Sequence, residues 1–318
     1  VGSEMCIRDS MKILVCDNLE EKVIEKLSQL GEVTNISDSK TKTEELISNI
    51  VDTDIVVIRS STKINKDILQ KANKLKIIAR CGVGIDNIDI EEATNKEIYV
   101  TNSPNANIIS VAELTIGLII SAARNIHTSN NSLKDKNWDR NKFLGTELYK
   151  KQLGLIGFGK AAREVAKRLT VFGMEIVFYD PYVEASEDEA NKVELDELLK
   201  TSDVISIHVV KNEETKNMIN DEKLNLIKKG GILVNTSRGG IVDEAALFQR
   251  SSDDVIFAGL DVFSKEPPDI NKTFSTSNIV TTPHLGASTQ EAQLRAGLET
   301  VQNISDILNG ELSSVINI

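Results

Sequence analysis

Short apolar runs alternate with helix-period patterns along nearly the whole chain, and this alternation limits the possible folds more than any single motif does. Strands that run in the same direction need a long crossover between them, and a helix usually supplies it, so the pattern reads as parallel sheets. Residues 12–16, 54–58, 76–79 and 98–100 supply four strands of a first series. After the first of these, residues 20–30 set Val23, Ile24, Leu27 and Leu30 at helical spacing, and Gly31 provides the stop. A second series starts at Gln152, with strands expected at 153–156, 175–179, 204–208, 232–235, 255–260 and 279–280. Six strands are what a complete dinucleotide-binding sheet requires. Between the two series, residues 108–125 read as a long apolar helix and 130–151 as a polar stretch holding the single tryptophan, Trp138. A last helix over 288–309 follows the final strand and is expected to pack back on the first series. The expected architecture is α/β with two doubly wound parallel-sheet domains. A Rossmann domain, residues 104–285, is inserted into a smaller flavodoxin-like domain made of 11–103 and 286–318. The cleft between two such domains is the expected place for a ligand.

A chain of 318 residues suits two domains rather than one core. It carries 37 Lys and Arg against 48 Asp and Glu, a net charge of −11. So acidic a surface disfavours nucleic acid and anionic membranes unless positive charge is gathered locally, and no basic run does that. An anionic substrate would therefore need a dedicated pocket of Arg or Lys. The most apolar stretch, residues 114–123, is too short to span a membrane. Cys6, Cys16 and Cys81 have neither metal nor disulfide spacing, so no metal is expected and a reducing cytoplasm is. Residues 1–10 lack the apolar middle of a signal peptide and read as a non-native or disordered leader, with Met11 as the natural start.

Gly157-Phe158-Gly159-Lys160-Ala161-Ala162 directly follows the expected strand 153–156 and opens a helix. Gly157 permits the tight turn, and Gly159 lets the backbone approach a pyrophosphate at the positive end of the helix. Ala162 stands where the third glycine of the pattern would be, small enough for helix to pack on strand. The next strand ends in Asp180, 21 residues beyond Gly159. A carboxylate there accepts hydrogen bonds from ribose hydroxyls and repels a 2′-phosphate, which favours NAD over NADP. Three polar residues, Arg238, Glu266 and His284, then each follow an expected strand, where this architecture places its ligands. Hydride transfer at a hydroxy acid needs a proton acceptor, a cation for the carboxylate and a group that tunes the acceptor. Histidine, arginine and glutamate supply these three in order. Each taken alone reads as an ordinary surface charge.

Asn235-Thr236-Ser237-Arg238-Gly239-Gly240, Gly259-Leu260-Asp261-Val262-Phe263 with Glu266-Pro267, and Thr282-Pro283-His284-Leu285-Gly286 resemble the D-isomer-specific 2-hydroxyacid dehydrogenases. The resemblance covers nearly everything from Met11 on. It implies His284 as the acid/base, Glu266 as its partner, Arg238 as the clamp on substrate carboxylate and carbonyl, and Asp261 near the nicotinamide amide. The implied cofactor-binding set is Gly157, Phe158, Gly159, Lys160, Ala161, Asp180, Pro181, His208, Thr236, Ser237, Arg238, Asp261, His284 and Gly286. Four further stretches are most similar to the phosphoglycerate dehydrogenase branch of the family. They are Arg59-Ser60-Ser61-Thr62-Lys63, Arg80-Cys81-Gly82-Val83-Gly84-Ile85-Asp86-Asn87, Trp138-Asp139-Arg140 with Gly145-Thr146-Glu147-Leu148, and Gly286-Ala287-Ser288-Thr289-Gln290-Glu291-Ala292-Gln293. By position they imply Arg59, Ser60, Val83, Gly84, Asn105, Arg238 and Gln293 around the substrate, with Arg59 a plausible phosphate or carboxylate cation at a strand end.

The resemblance thus implies NAD-dependent oxidation of D-3-phosphoglycerate, the entry to serine synthesis, with a phosphorylated 2-hydroxy acid as the small-molecule partner. Reduction of glyoxylate or hydroxypyruvate keeps the same chemistry and changes only the acid. A non-catalytic NAD-sensing corepressor on the same fold is the alternative from another class, and the Arg238, Glu266, His284 set argues against it. A homodimer or higher homo-oligomer is implied, with the 108–125 helix and the Trp138 arm as its interface, from which Arg140 or Lys142 could reach a partner's site. Two departures stand out. His208-Val209-Val210-Lys211 lacks the proline the family usually carries there, which weakens the expected cofactor contact, and the chain stops shortly after the last helix, like a short form without a carboxy-terminal regulatory domain.

Overall fold

The computed structural model describes residues 11–184, 190–253, 255–269 and 278–318; the leader expected at 1–10 lies outside them. The chain divides into two units, one running up to Asn107 and resuming over Ala287–Ile318, the other spanning Ile108–Gly286. From the sequence these divisions are expected at 103/104 and 285/286, four residues and one residue earlier.

In the first unit β1 (Lys12–Val15), α1 (Glu21–Ser28), β2 (Glu32–Asn35), α2 (Lys42–Asn49), β3 (Ile55–Ile58), α3 (Lys66–Leu69), β4 (Ile77–Arg80), α4 (Ile90–Asn95) and β5 (Tyr99–Asn102) alternate. The five strands are all parallel, in the order β2-β1-β3-β4-β5, which is the flavodoxin-like arrangement. Central β3 is buried on both faces, which is why Ile55 to Ile58 is an unbroken β-branched run. Strand β2 is absent from the sequence reading for the opposite reason: it is an edge strand with no buried residue, so Glu32-Val33-Thr34-Asn35 carries no apolar signature.

The closing helix, Gln290–Leu308, belongs to this unit. Gly297 lies so close to α1 that a Cβ there would stand 2.4 Å from Val23. Asn303 donates to Thr101 Oγ1 (3.0 Å) and to the Asn102 carbonyl (2.8 Å), and Ser103 shares a 2.9 Å bond with Thr300. Beyond the helix, the Ile316 N–H donates to the Val100 carbonyl (2.9 Å). Asn317 accepts from the Val100 N–H (2.8 Å) and donates to the Ile98 carbonyl (2.9 Å), so the tail runs along the open edge of β5.

The second unit opens with α5 (Ile108–Ala123) and α6 (Ile126–Lys134). The expected single helix to residue 125 stops at Ala123, because Asn125 takes a left-handed φ of 52° and the chain turns by 65° into α6. Helix α6 has no buried residue, so its part of the polar stretch offered no apolar period to read. Among the described residues no single helix is long and apolar enough to cross a membrane. There follow β6 (Gln152–Ile156), α7 (Lys160–Val171), β7 (Glu175–Tyr179), β8 (Asn191–Lys192), α8 (Leu195–Thr201), β9 (Val204–Ile207), α9 (Asp221–Leu224), β10 (Gly231–Asn235), α10 (Glu244–Ser252), β11 (Ile256–Leu260) and β12 (Ile279–Thr281). All seven strands are parallel, in the order β12-β11-β10-β9-β6-β7-β8. This is the six-strand dinucleotide-binding order with one strand added at the β12 edge. The two-residue β8, with both residues exposed, carries no strand signature in the sequence. The chain leaves β6 toward β7 on one side and returns to β9 on the other, so the strand order switches direction at β6, where this architecture binds ligands.

Candidate active site

At the end of β6 the Gly157 N–H donates to the Tyr179 carbonyl (2.8 Å) with the glycine at φ 85°. A Cβ on Gly157 would stand 2.8 Å from the His208 carbonyl oxygen, so both conformation and space demand glycine there. Gly159 differs: it is the N-cap of α7 in ordinary extended backbone, and a Cβ on it would meet nothing within 4 Å. Space is therefore open at a helix N-terminus whose first N–H groups have no partner within the helix, the setting that takes a phosphate. Asp180, at the end of β7, accepts from the Phe158 N–H and the Tyr182 N–H, each at 2.8 Å. That grip points its carboxylate toward the glycine turn and leaves lone pairs for hydroxyl donors. Phe158 stacks on Phe178 with centroids 4.1 Å apart, and the Arg163 guanidinium lies 4.4 Å over the Phe158 ring. Ala162 is fully buried, as a residue between helix and sheet must be. Lys160 and Ala161 start α7, and Pro181 is exposed just after Asp180. This donor set fits NAD, with room for a pyrophosphate and a carboxylate placed for a ribose.

His208, just past β9, shares a 2.9 Å bond between its Nε2 and Ser206 Oγ. Burial pushes its pKa down to about 4, so the ring is neutral in the physiological range and suits a wall rather than a proton carrier.

Past β10, Asn235 ties down its own turn. Its Oδ1 accepts from the Ser237 N–H (3.0 Å) and Oγ (2.8 Å), and its Nδ2 donates to the Arg238 carbonyl (2.9 Å). Thr236 is buried and bonds Thr115 of α5 (2.7 Å). Arg238 is half-buried, with Nη1 donating to the Ser237 carbonyl (2.8 Å). The next residue, Gly239, sits against the segment after β11: a Cβ on it would lie 1.8 Å from the Phe263 carbonyl oxygen. The arginine turn and the Asp261–Glu266 segment are thus packed backbone to backbone.

That second segment carries Glu266, which meets His284, the expected acid/base. Glu266 Oε1 accepts from the Phe263 N–H (3.1 Å), and its Oε2 lies 2.7 Å from His284 Nδ1. Both side chains are part-exposed. His284 takes a left-handed φ of 55°, and its N–H donates to the Asp261 carbonyl (2.9 Å). Asp261, expected beside the nicotinamide amide, directs both oxygens at the turn bearing His284. It accepts from Thr282 Oγ1 (2.6 Å), the Leu285 N–H (2.6 Å) and the Gly286 N–H (2.8 Å). Burial pushes the Asp261 carboxyl up, and these donors together with His284 only partly offset it. Gly286 sits at close quarters: a Cβ there would stand 3.2 Å from Val111 and 3.3 Å from Asp261 Oδ2.

The remaining expected residues lie in the first unit. Arg59 follows β3, and its Nη1 donates to the Asn18 carbonyl (3.2 Å) and to Gln293 Oε1 (3.4 Å), so Arg59 and Gln293 meet. Ser60 beside it is exposed, while Val83 and Gly84 are half-buried in the turn after β4, where Asn102 Nδ2 donates to the Val83 carbonyl (2.6 Å). Asn105 points elsewhere on the closing helix, with Nδ2 3.4 Å from Glu299 Oε1, six residues past Gln293 and about 9 Å along the axis. The sequence reading does not single out Asp17, Asn87 or Thr282, which hold these turns. Asn87 and Thr282 lie within stretches that carry the family resemblance, while the one signal of Asp17 is its position just beyond a strand.

Residues 116–286 match the model of the D-isomer specific 2-hydroxyacid dehydrogenase NAD-binding domain. A D-3-phosphoglycerate dehydrogenase of Methanocaldococcus jannaschii is 47% identical over 96% of this chain, though the chain spans only 59% of that protein's length. A hydroxypyruvate reductase of Thermotoga maritima is 45% identical over 92% of this chain and 97% of its own. Among solved structures, the NAD-bound 3-phosphoglycerate dehydrogenase of Entamoeba histolytica is 33% identical, with a TM-score of 0.81 over 97% of this chain and 99% of that one. With the glycine turn, Asp180 and the His284–Glu266 pair arranged as described, this chain belongs to the D-isomer specific 2-hydroxyacid dehydrogenase family and carries its NAD-binding domain.

Proposed function

We propose that the chain oxidises D-3-phosphoglycerate to 3-phosphohydroxypyruvate with NAD, the entry step of serine synthesis. The observation that carries the dehydrogenase reading is the 2.7 Å His284–Glu266 contact in the unit that bears the glycine turn and Asp180. Bound NAD supplies the acceptor for the hydride leaving C2. With Nδ1 turned to a carboxylate, the tautomer that satisfies the contact has its proton on Nδ1 and a lone pair on Nε2. His284 Nε2 then takes the proton of the C2 hydroxyl as the carbonyl forms, and Glu266 stabilises the imidazolium that results. Arg238 grips the carboxylate through parallel N–H bonds. For a phosphorylated acid Arg59 is the phosphate cation, and its fixed attachment to Asn18 and Gln293 supports that role.

The Thermotoga maritima relative favours a second reading, reduction of hydroxypyruvate, which keeps every step and dispenses with the phosphate contact. We also propose a homodimer, supported by exposed Trp138, Tyr149, Val171 and Phe172 in the unit that holds α5, and a reducing cytoplasmic setting, supported by the buried free thiols Cys16 and Cys81. NADH oxidation by purified protein, compared across 3-phosphohydroxypyruvate, hydroxypyruvate, glyoxylate and 2-oxoglutarate, tests the main reading. Preference for the phosphorylated acid is expected. Preference for hydroxypyruvate would move the assignment to the second reading, and NADH binding without turnover would refute both.

A further inference from the structure

The turn that presents Arg59 is held from below by one buried carboxylate. Strands β1 and β3 run side by side with Val15 opposite Val57, which brings Asp17, two residues on, beside Arg59. Asp17 is 3% exposed and accepts from four donors. Its Oδ2 takes the Arg59 N–H, and its Oδ1 takes Thr62 Oγ1 (2.9 Å), Ser61 Oγ and Lys42 Nζ. Asn87 completes the grip from the other side, donating to the carbonyls of Arg59 (2.7 Å) and Thr62 (2.5 Å). The backbone of residues 59–62 is thus pinned at its N–H and C=O groups alike. The Arg59 side chain is steadied at one guanidinium nitrogen only, by Asn18 and Gln293, and the five N–H donors of an arginine leave the others to face a ligand.

We infer that Asp17 is a positioning residue for anion recognition by Arg59: it fixes the turn so that the guanidinium meets the phosphate of the substrate without first having to be ordered. This rests on the proposed phosphate role of Arg59. A structural ion pair with Lys42 would occupy one oxygen, whereas here both oxygens serve the turn. Preorganisation of this kind appears in substrate affinity rather than in the rate of hydride transfer. Asparagine at this position offers one acceptor and one amide NH2. Whichever way it lies, a donor faces either the Arg59 N–H or the donors gathered at Oδ1.

The test compares D17N, K42M and R59A for KM and kcat with 3-phosphohydroxypyruvate and hydroxypyruvate, and for KM with NADH. For D17N, KM for the phosphorylated acid is expected to rise about tenfold, the cost of one misplaced charged bond. Its kcat, its KM for NADH and its KM for hydroxypyruvate should stay within about twofold, and D17N should add nothing in an R59A background, as expected of one coupled unit. K42M should leave the KM ratio between the two acids unchanged. A D17N effect equal for both acids, or one matched by K42M, would mark Asp17 as merely structural and overturn the inference. If R59A itself leaves the ratio unchanged, the phosphate role of Arg59 fails and this inference falls with it; if only R59A moves it, Asp17 alone is refuted. Where D17N does not fold, T62V removes one of the four donors at constant shape and should shift the same ratio about threefold in the same direction, on the same hydrogen-bond scale; no shift there would overturn the inference.

Discussion

Substituting each of the two glycines at the start of α7 should separate folding from cofactor binding. In G159V the new side chain enters space where a Cβ meets nothing within 4 Å, on backbone that any residue adopts. Replacing glycine at an N-cap by an apolar residue costs up to about 1 kcal/mol. For a unit of this size that lowers the melting temperature by roughly 2–4 °C. The same side chain fills the place of a pyrophosphate and removes the bonds to the helix N–H groups. Two charge-assisted bonds at about 1.5–3 kcal/mol each predict NADH binding weaker by a factor on the order of 100 or more. In G157A the numbers reverse. The left-handed backbone costs about 1–2 kcal/mol and the clash with the His208 carbonyl about 1–3 kcal/mol, a sum of about 2–5 kcal/mol and a fall of roughly 4–20 °C. Thermal melts followed by NADH fluorescence titration measure both quantities on the same samples. If G159V melts as early as G157A, or binds NADH like the unaltered chain, the assignment of that open space to the cofactor is wrong.

E266Q deletes the charge and leaves one acceptor oxygen for two donors, the His284 Nδ1–H and the Phe263 N–H. At 2.7 Å a half-exposed pair is worth about 1.5–3 kcal/mol, so kcat should fall about 10–100-fold while KM for NADH holds, and steady-state kinetics with kcat unchanged would remove Glu266 from the mechanism. His208, held near 4 against an ordinary 6.5, should keep a neutral-ring proton NMR signal down to pH 5; with only three histidines in the chain, H208Q identifies the resonance, and a midpoint near 6.5 would contradict its burial. Because the unfolded chain binds that proton first, H208Q should also lessen the loss of stability between pH 6.5 and about 4 in urea titrations. Asp17 has the same sign from a different cause: burial raises its pKa, but its bonds to Lys42, Ser61, the Arg59 N–H and Thr62 outweigh that and hold it below 3.8. Its stabilisation is therefore full above 3.8 and lost as pH falls through the folded value, so the stability gap between the natural chain and D17N should narrow from pH 7 to pH 3; a constant gap would refute the carboxylate as its source.

Where burial wrote a pattern into the chain, the fold was legible. The unbroken run of β3 and the Val23, Ile24, Leu27 series both face the core and read plainly as strand and helix. Edge strand β2, two-residue β8 and fully surface-lying α6 bury nothing, so residue type does not betray them. The site divides along the same line. Gly157, Asp180, Arg238, Glu266 and His284 follow strands, and their pattern taken together, rather than any one of them, points to a site. Asp17 and Asn87 work by hydrogen-bonding backbone groups of a turn distant in sequence, and a lone Asp or Asn after a strand is too common to mark that. Asp261 is expected near the nicotinamide from the resemblance, but its three bonds to residues 282–286 emerge only from the fold.

The return of the closing helix to the first unit sets an order of events during synthesis. As the chain emerges from the ribosome, residues 11–107 appear first, yet α1 at Val23 and the ends of β5 at Thr101 and Ser103 await partners from beyond residue 286. The inserted unit is contiguous and can close as soon as β12 is out, while the unit begun first must finish last. During that interval the apolar face that Gly297 and Ala296 will cover stays open to water, and the unpaired edge of β5 stays open to any passing strand. The unit begun before the insertion is thus the one more open to aggregation during synthesis, and a stop codon within residues 287–318 would spoil it rather than the inserted unit.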